Sequence, residues 1–492
     1  MRRHGQPIST IGVTTADRPQ LLERCLLSVT RQVTTHGSRA RIIVVDASKS
    51  ARNESLGRSA ASSVQLATGR PISFIGRAEK LALRQALRSL CDDSLLEFAF
   101  RPCASGNRNI ILLLTSGEHV LFVDDDVVCA VWSPRSLRRV IALGGHAEER
   151  DIAFYAQRGD VCERLEPANV DLLQAHDAVL GRTIRSLVTA KTLAVDKRRA
   201  CGHLRAAARG ERPARVRMTF CGIAGDAGVS YPDRLLLSGG TWRTALASSR
   251  RAFKTALTFR EVCKVARRYT VMHEVSCMTA CMGLSNTTIA PPFLPVGRNE
   301  DGLFGATLSA IDLETVSCHV PYAVLHASNR PPRYSGKRFP STSETRTADL
   351  LISLINRSSS RIRTHESRRR LVRLGDELKQ LAALRTSDFV KITTLATLRT
   401  REREVTMIES ALENHDAYPS YWRDDLRSFR TLLVKNAHKP TFLLPLEFHG
   451  ARTTSAGYDE LRQFVDFAGE LYVRWPALWT KAKTRLPGFA AD

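Results

Sequence analysis

The chain has 492 residues, 43% apolar and 25% charged, which excludes a disordered or low-complexity protein. That length gives room for roughly two to four domains. Lys and Arg number 73 against 49 Asp and Glu, a net charge of +24. Such a charge suits a polyanionic partner: nucleic acid, an acidic membrane surface or phosphorylated substrates. The excess is Arg-rich and spread along the whole chain, as a coding bias towards Arg would also give. No RNA-binding or helix-turn-helix signature accompanies it, so there is no firm nucleic-acid signal.

The 11 Cys are scattered, and none forms a CxxC pair. Cys277 and Cys281 are spaced CxxxC with no second pair at zinc spacing. Cys25, Cys129 and Cys221 sit in apolar stretches and read as reduced, buried thiols of a reducing compartment. The basic start, MRRHGQPIST, lacks the apolar core of a secretory signal, and no apolar run approaches a bilayer span. The expectation is a cytoplasmic protein, with peripheral attachment to an anionic membrane left open.

Ile8 to Thr15 reads as a first strand. Pro19, with Asp17 nearby as a cap, suits the start of a helix whose Leu22, Cys25, Leu26 and Val29 share one face. Arg41 to Asp46 is a second strand ending in an acid. Strand, helix and strand in this space make a βαβ unit with parallel strands. No G-x-G-x-x-G follows the first strand, so the dinucleotide-binding version is not expected. Pro71 to Ile75 reads as a third strand and Ala78 to Leu90 as a helix. A further helix is expected over Ile110 to Leu114, capped by Asn107.

Val120 to Val123 then form a short buried strand closed by Asp124, Asp125 and Asp126. In an open α/β sheet, ligands bind beyond the carboxyl ends of the strands. Three acids there repel one another, and a hard divalent cation bridging to phosphate relieves the repulsion. A solvated acidic turn fits the same spacing.

Residues 133–215 read as a largely helical insertion, with helical spacing over Val170 to Leu193 and Arg-rich loops at Arg198-Arg199 and Arg205 to Arg215. Val216 to Ile223 is a strand. A Gly-rich loop at Ser238 to Trp242 offers Trp242 for stacking on a substrate ring, or as a packing anchor. Val271 to Ile289 is mixed β. Pro291 to Pro295 impose a rigid loop that leads through Arg298 to Glu300-Asp301 at a helix start, where the macrodipole favours acids. Val320 to Leu325 is a strand ending at His326, a residue type that ligates metals as neutral imidazole. Asn329 to Ser343 is the expected linker. From about Arg346 the pattern turns helical, through Leu371, Leu374, Leu378 and Leu381, then Val405, Ile408 and Leu412, then Leu461, Val465, Ala468 and Leu471. This tail reads as a helical domain for packing, acceptor binding or self-association.

Taken in order, these stretches resemble the GT-A nucleotide-sugar glycosyltransferases, the family-2-like group in particular. Ile11 to Pro19 with the following helix looks like that family's opening strand and helix, and Ile42 to Asp46 like its second strand. Gly106-Asn107-Arg108-Asn109 looks like the Arg-Asn element before the metal site, and Val120 to Asp126 like the DXD strand. Glu300-Asp301 looks like the later acidic pair. His326 stands where many such enzymes place a late metal ligand.

The resemblance implies an α/β GT-A (Rossmann-like) domain over 1–330 with a mostly parallel sheet, a linker at 331–345 and an α-helical C-terminal domain over 346–492. It implies a hexosyltransferase-type enzyme that moves a sugar from a nucleoside-diphosphate sugar to an unidentified acceptor hydroxyl with inversion. Asp124, Asp126 and His326 would hold Mn²⁺ or Mg²⁺. Thr14, Asp17, Arg18, Asp46, Arg108, Asn109, Asp124 and Asp125 would face the donor, with Asp17 and Asp46 on ribose and base. Asp301 or Glu300 would act as base, and Trp242 and Arg298 would contact substrate. Two other classes compete: a nucleotidyltransferase, and a non-catalytic basic scaffold or nucleic-acid-binding protein on a degenerate transferase fold.

Overall fold

The structure is a computed structural model that describes residues 6–144, 150–190, 192–229, 232–273, 277–334, 344–439 and 443–485. In its first half the strands β1 (Ile8–Thr15), β2 (Arg41–Asp46), β3 (Ile72–Ile75) and β4 (His119–Asp124) run parallel in the order β3-β2-β1-β4. Helices cover both faces, so these strands are apolar on both sides. Ile43, Val45, Val120 and Phe122 enter one core, while Ile42, Val44, Leu121 and Val123 enter the other.

Helix α1 (Pro19–Thr35) starts on its proline and buries Leu22, Cys25, Leu26 and Val29. Helix α2 (Ala51–Thr68) is capped by Ser50, whose hydroxyl accepts from the Asn53 amide. After β3 come α3 (Arg77–Leu87), α4 (Asp93–Ala99) and α5 (Ala104–Leu114). Helix α5 lies directly on β1: a Cβ at Gly12 would come within 2.7 Å of Ile111 Cγ2. The expected cap at Asn107 is not used. The helix begins a turn earlier, after Cys103, and the Asn107 amide instead donates to the carbonyls of Thr15 and Val45.

Residues 133–215 differ from the expected helical insertion. They carry the end of β5 (Val127–Pro134), then β6 (Val140–Gly144), β7 (Arg150–Tyr155), β8 (Leu165–Pro167) and β9 (Ala194–Asp196). Their helices are short: α6 (Leu172–Asp177), α7 (Ile184–Thr189) and α8 (Gly202–Arg209). The helical spacing over Val170 to Leu193 belongs to two short helices that break at Gly181, where φ is 71°. Arg205 to Arg209, expected as loop, is helical because Leu204, Ala207 and Ala208 form a buried face.

The chain continues with β10 (Arg215–Asp226), α9 (Gly240–Ala247), α10 (Arg250–Thr258), β11 (Glu261–Ala266), β12 (Tyr269–Met272), β13 (Cys281–Ser285), α11 (Glu300–Ile311) and β14 (Thr315–His326). Among the described residues the strands form one large mixed sheet of order β3-β2-β1-β4-β13-β10-β14-β12-β6-β9, with β11–β7 and β5–β8 branching from it. The protein is therefore α/β, with a helical C-terminal region of α12 (Thr347–Ser359), α13 (Ser367–Ala382), α14 (Thr386–Glu413), α15 (Ser420–Ala437) and α16 (Thr454–Arg485).

These last helices share a core with the sheet. Leu371, Leu374, Leu461, Val465 and Leu471 belong to the same apolar cluster as Ile110, Phe293 and Phe304. Two indoles pin the contact: Trp475 Nε1 donates to the Ala290 carbonyl at 2.8 Å, and Trp479 Nε1 to Asn286 Oδ1 at 3.0 Å. A separate core gathers Leu236, Phe253, Ile408, Trp422 and Phe429 where α14 and α15 meet α10. Most of the expected linker, residues 335–343, lies outside the described residues. Among the described residues no helix is long and apolar enough to cross a membrane.

Candidate active site

The acidic triplet is placed by strand pairing. β4 runs beside β1 in a register that sets Asp124 opposite Thr14, and β1 runs beside β2 so that Thr15 faces Asp46. β4 ends at Asp124, and β5 begins at Val127 and pairs with β14, His326 against Val127. The turn between them, Asp125 and Asp126, is thereby held against the end of β14. The Ala327 amide donates to the Asp126 carbonyl at 2.8 Å. His326 Nε2 lies 3.0 Å from Asp126 Oδ1, and its Nδ1 lies 2.6 Å from the Asp226 carbonyl oxygen. A carbonyl only accepts, so Nδ1 carries a proton and Nε2 is the nitrogen that faces the carboxylate.

Each acid has its own partners. Asp124 Oδ1 accepts from Arg108 Nη2 at 2.8 Å and from the Thr14 hydroxyl at 3.2 Å. Asp125 accepts from Thr15 at 2.8 Å and from Arg18 at 3.1 Å. Asp126 shares that Arg18 guanidinium at 3.3 Å. Burial raises Asp124, and it raises Asp125 to about 6 even with Arg18 beside it. Burial would also raise Asp126, but the His326 hydrogen bond and charge, with Arg18, outweigh it and hold that carboxyl low. Burial works against the charged form of His326 too, yet Asp126 and the Asp226 carbonyl raise it to about 9.

Across the cleft, the proline-bounded loop delivers Glu300 and Asp301 to the first turn of α11, as the sequence pattern suggests. The residue before them, Asn299, adopts φ of 67°, a left-handed conformation that few non-glycine residues take. Arg108, from the second turn of α5, spans the gap and donates to Glu300 Oε1 at 3.0 Å. Burial, then the Glu300 charge, raises the Asp301 carboxyl to about 6. These groups line one cleft of about 500 Å³, whose wall also carries Arg18, Arg234, Arg298, Arg330 and Arg346.

Thr14, Arg18, Arg108, the three acids, Arg298, Glu300, Asp301 and His326 thus come together. Four other residues singled out in the sequence do not line this cleft. Asn109 faces away from it and clamps the backbone, accepting from the Phe293 amide and donating to the Ala99 and Phe293 carbonyls. Trp242 is not on a Gly-rich loop but in the first turn of α9, packed against Phe154 and under the Lys264 ammonium. Asp17 accepts from the Lys49 amide and Asn53, and Asp46 accepts from Ser48; both brace the β1 and β2 ends.

The three residues expected to ligate a metal lie near one another but on different partners. Asp124, Asp126 and His326 do not converge as one ligand set: among the described residues the one group of three such side chains within 4.8 Å of one another lies elsewhere. Asp126 and His326 do meet, and Asp124 is drawn towards Arg108. Mg²⁺ and Mn²⁺ commonly bind through one or two protein ligands with substrate phosphates completing the shell, so the Asp126–His326 pair fits such an ion.

Residues missed in the sequence also line the cleft and brace it. Asp226 ends β10, is gripped by Arg260 Nη2 at 2.9 Å and Nε at 3.1 Å, and accepts from Ser328. Its signal was the one that marked Asp46 and Asp124, an acid closing a buried strand. Thr15 and Asn107 were hidden by their neighbours in the same motifs. No family model matches this chain, and no curated protein matches it.

Proposed function

We propose that the chain is a metal-dependent glycosyltransferase that moves a sugar from a nucleoside-diphosphate sugar to an acceptor hydroxyl with inversion. One observation carries this reading. Acids from two distant parts of the sequence, Asp124 to Asp126 and Glu300-Asp301, face one cleft and share the Arg108 guanidinium. The ordered motifs that resemble the GT-A enzymes agree with it. The cleft arginines Arg18, Arg298 and Arg330 suit a diphosphate, which guanidinium groups bind through paired hydrogen bonds.

Asp126 and His326 would hold Mn²⁺ or Mg²⁺. The ion supplies neutralising charge to the departing nucleoside diphosphate. Asp301, with its raised carboxyl, accepts the proton of the acceptor hydroxyl. Glu300 pairs with Arg108 at 3.0 Å and fixes the start of α11. A single base on the face opposite the leaving group gives inversion.

Calorimetry with UDP, GDP, CDP and dTDP, with and without Mn²⁺, tests the reading. One nucleotide should bind tightly only with Mn²⁺, and binding should fall at least tenfold in Asp126→Asn. Metal-independent binding of all four, or of none, would overturn it. Nucleoside diphosphate release from a panel of nucleotide sugars then identifies the donor.

A further inference from the structure

A second group of ligating side chains lies inside the core, on the sheet face that carries α1 and α6. β10 and β13 are antiparallel neighbours in the register Met218↔Leu284, Thr219↔Gly283 and Phe220↔Met282. One step further sets Cys221 opposite Cys281. Alternate residues share a face, so Thr219, Gly283, Cys221 and Cys281 form one four-residue patch. His176, near the end of α6, lies over that patch and is fully buried.

Each member of the patch has a distinct role. Gly283 gives the imidazole room: a Cβ there would come within 3.0 Å of His176 Nδ1. Thr219 Oγ1 lies 2.7 Å from Nδ1 and fixes the ring. That leaves Nε2 facing sulfur, 3.2 Å from Cys221 Sγ. The ligand atoms of His176, Cys221 and Cys281 all lie within 4.8 Å of one another, and all three residues are buried.

We propose that His176, Cys221 and Cys281 form a structural zinc site. Thiolate and imidazole are the ligands Zn²⁺ prefers, and a hydroxyl on the far ring nitrogen is the outer contact that orients such a histidine. Charge selects the ion further. Two thiolates and a neutral imidazole around Zn²⁺ sum to zero, so the complex brings no net charge into the apolar core. On binding, both thiols release their protons to solvent and no electron is transferred. The fourth position of the ion is left to water or a further ligand.

The site would act as a staple. It ties α6, from the inserted region, to two neighbouring strands of the sheet. Cys281 also faces Val123 across the β4–β13 pair, so the staple sits beside the strand that ends in the acidic triplet. It requires no transferase activity and stands apart from the proposed function.

The test uses the full chain purified with reductant and without chelator. Metal analysis should find about one zinc per chain, and X-ray absorption should show two sulfurs at about 2.3 Å and nitrogen at about 2.0 Å. Cys281→Ser should lose at least tenfold of the zinc, while Cys263→Ala, in another core, should keep it. Should Cys281→Ser fail to fold, the absorption spectrum of the unaltered protein decides alone. Folded protein without zinc, and no thiolate-to-cobalt charge-transfer band on adding Co²⁺, would overturn the proposal and leave a core histidine hydrogen-bonded to thiols. A zinc shell of oxygen and nitrogen alone would overturn it equally.

Discussion

Arg108 and Glu300 stand 192 residues apart in sequence, yet the guanidinium donates to the carboxylate at 3.0 Å inside the protein. The same group holds Asp124 at 2.8 Å, so one buried cation joins both acidic clusters. Burial disfavours its charge, but Asp124, Glu300 and Asp301 outweigh that and keep it fully ionised. Removing it leaves buried carboxylates facing one another. Arg108→Met should cost about 3–5 kcal/mol, as loss of one partner from a buried pair does. Arg108→Lys keeps the charge but not the two-pronged reach, and should fall between. Urea unfolding checks the order; equal stability of all three proteins would show that the bridge does not hold the cleft together.

The raised carboxyl of Asp301 sets a pH dependence under the proposed function. A base works only when ionised, so activity should fall as pH drops through about 6 and level off above it. Asp301→Asn should lower kcat roughly 10²–10⁴-fold with nucleotide binding retained. Steady-state rates between about pH 5 and pH 9 test this. A flat profile would remove Asp301 from the role of base.

Asn109 should behave as a clamp rather than a donor contact. Its three bonds tie the end of α4 and the proline-rich loop to α5. Asn109→Ala should destabilise the protein by about 2–4 kcal/mol, since it strands buried backbone groups. Donor KM in the folded fraction should stay within about threefold, a shift well under 1 kcal/mol. A large KM effect with unchanged stability would restore a substrate role.

His119 opens β4 and is buried beneath Gly181, where an added Cβ would lie 2.5 Å from its ring. Burial lowers its imidazole to about 4, from an ordinary value of 6.5. Between those values the unfolded chain binds the proton and the fold does not. Stability should therefore be unaffected above the unfolded value and decline as pH falls towards about 4, by about 2–3 kcal/mol from this group. Urea midpoints at neutral and acid pH should show a smaller decline in His119→Gln. Equal declines would mean that other groups carry the acid response.

Much of the cleft was legible because its parts are local. An apolar run closed by Asp124 to Asp126 is a buried strand with a charged end, whatever surrounds it. Proline spacing before Glu300 announces a helix start. The convergence was not legible in the residue pattern itself and was implied only by the resemblance, because it comes from the β5–β14 register that brings Asp126 to His326 across 200 residues. Short strands such as β8 and β9, each of three residues, are too brief for any period to show. Helical spacing in Leu461, Val465 and Leu471 revealed an apolar face but not what it faces, and that proved to be the sheet's own core. Asn109 and Trp242 show the same limit: residue type suggested chemistry, while backbone neighbours gave them packing and hydrogen bonds instead.

Helix α16 has a consequence for how the protein comes into being. Trp475 and Trp479 seal the loop that leads to Glu300-Asp301, yet a ribosome makes them after that whole α/β region. Until α16 is made, Ala290, Asn286 and Thr307 lack the Trp475, Trp479 and Tyr472 partners that it supplies. Such uncovered surface invites aggregation or chaperone capture until α16 docks. Assembly of the cleft's supporting core thus waits for α16, and a chain halted before α16 should have its acids encoded but not assembled.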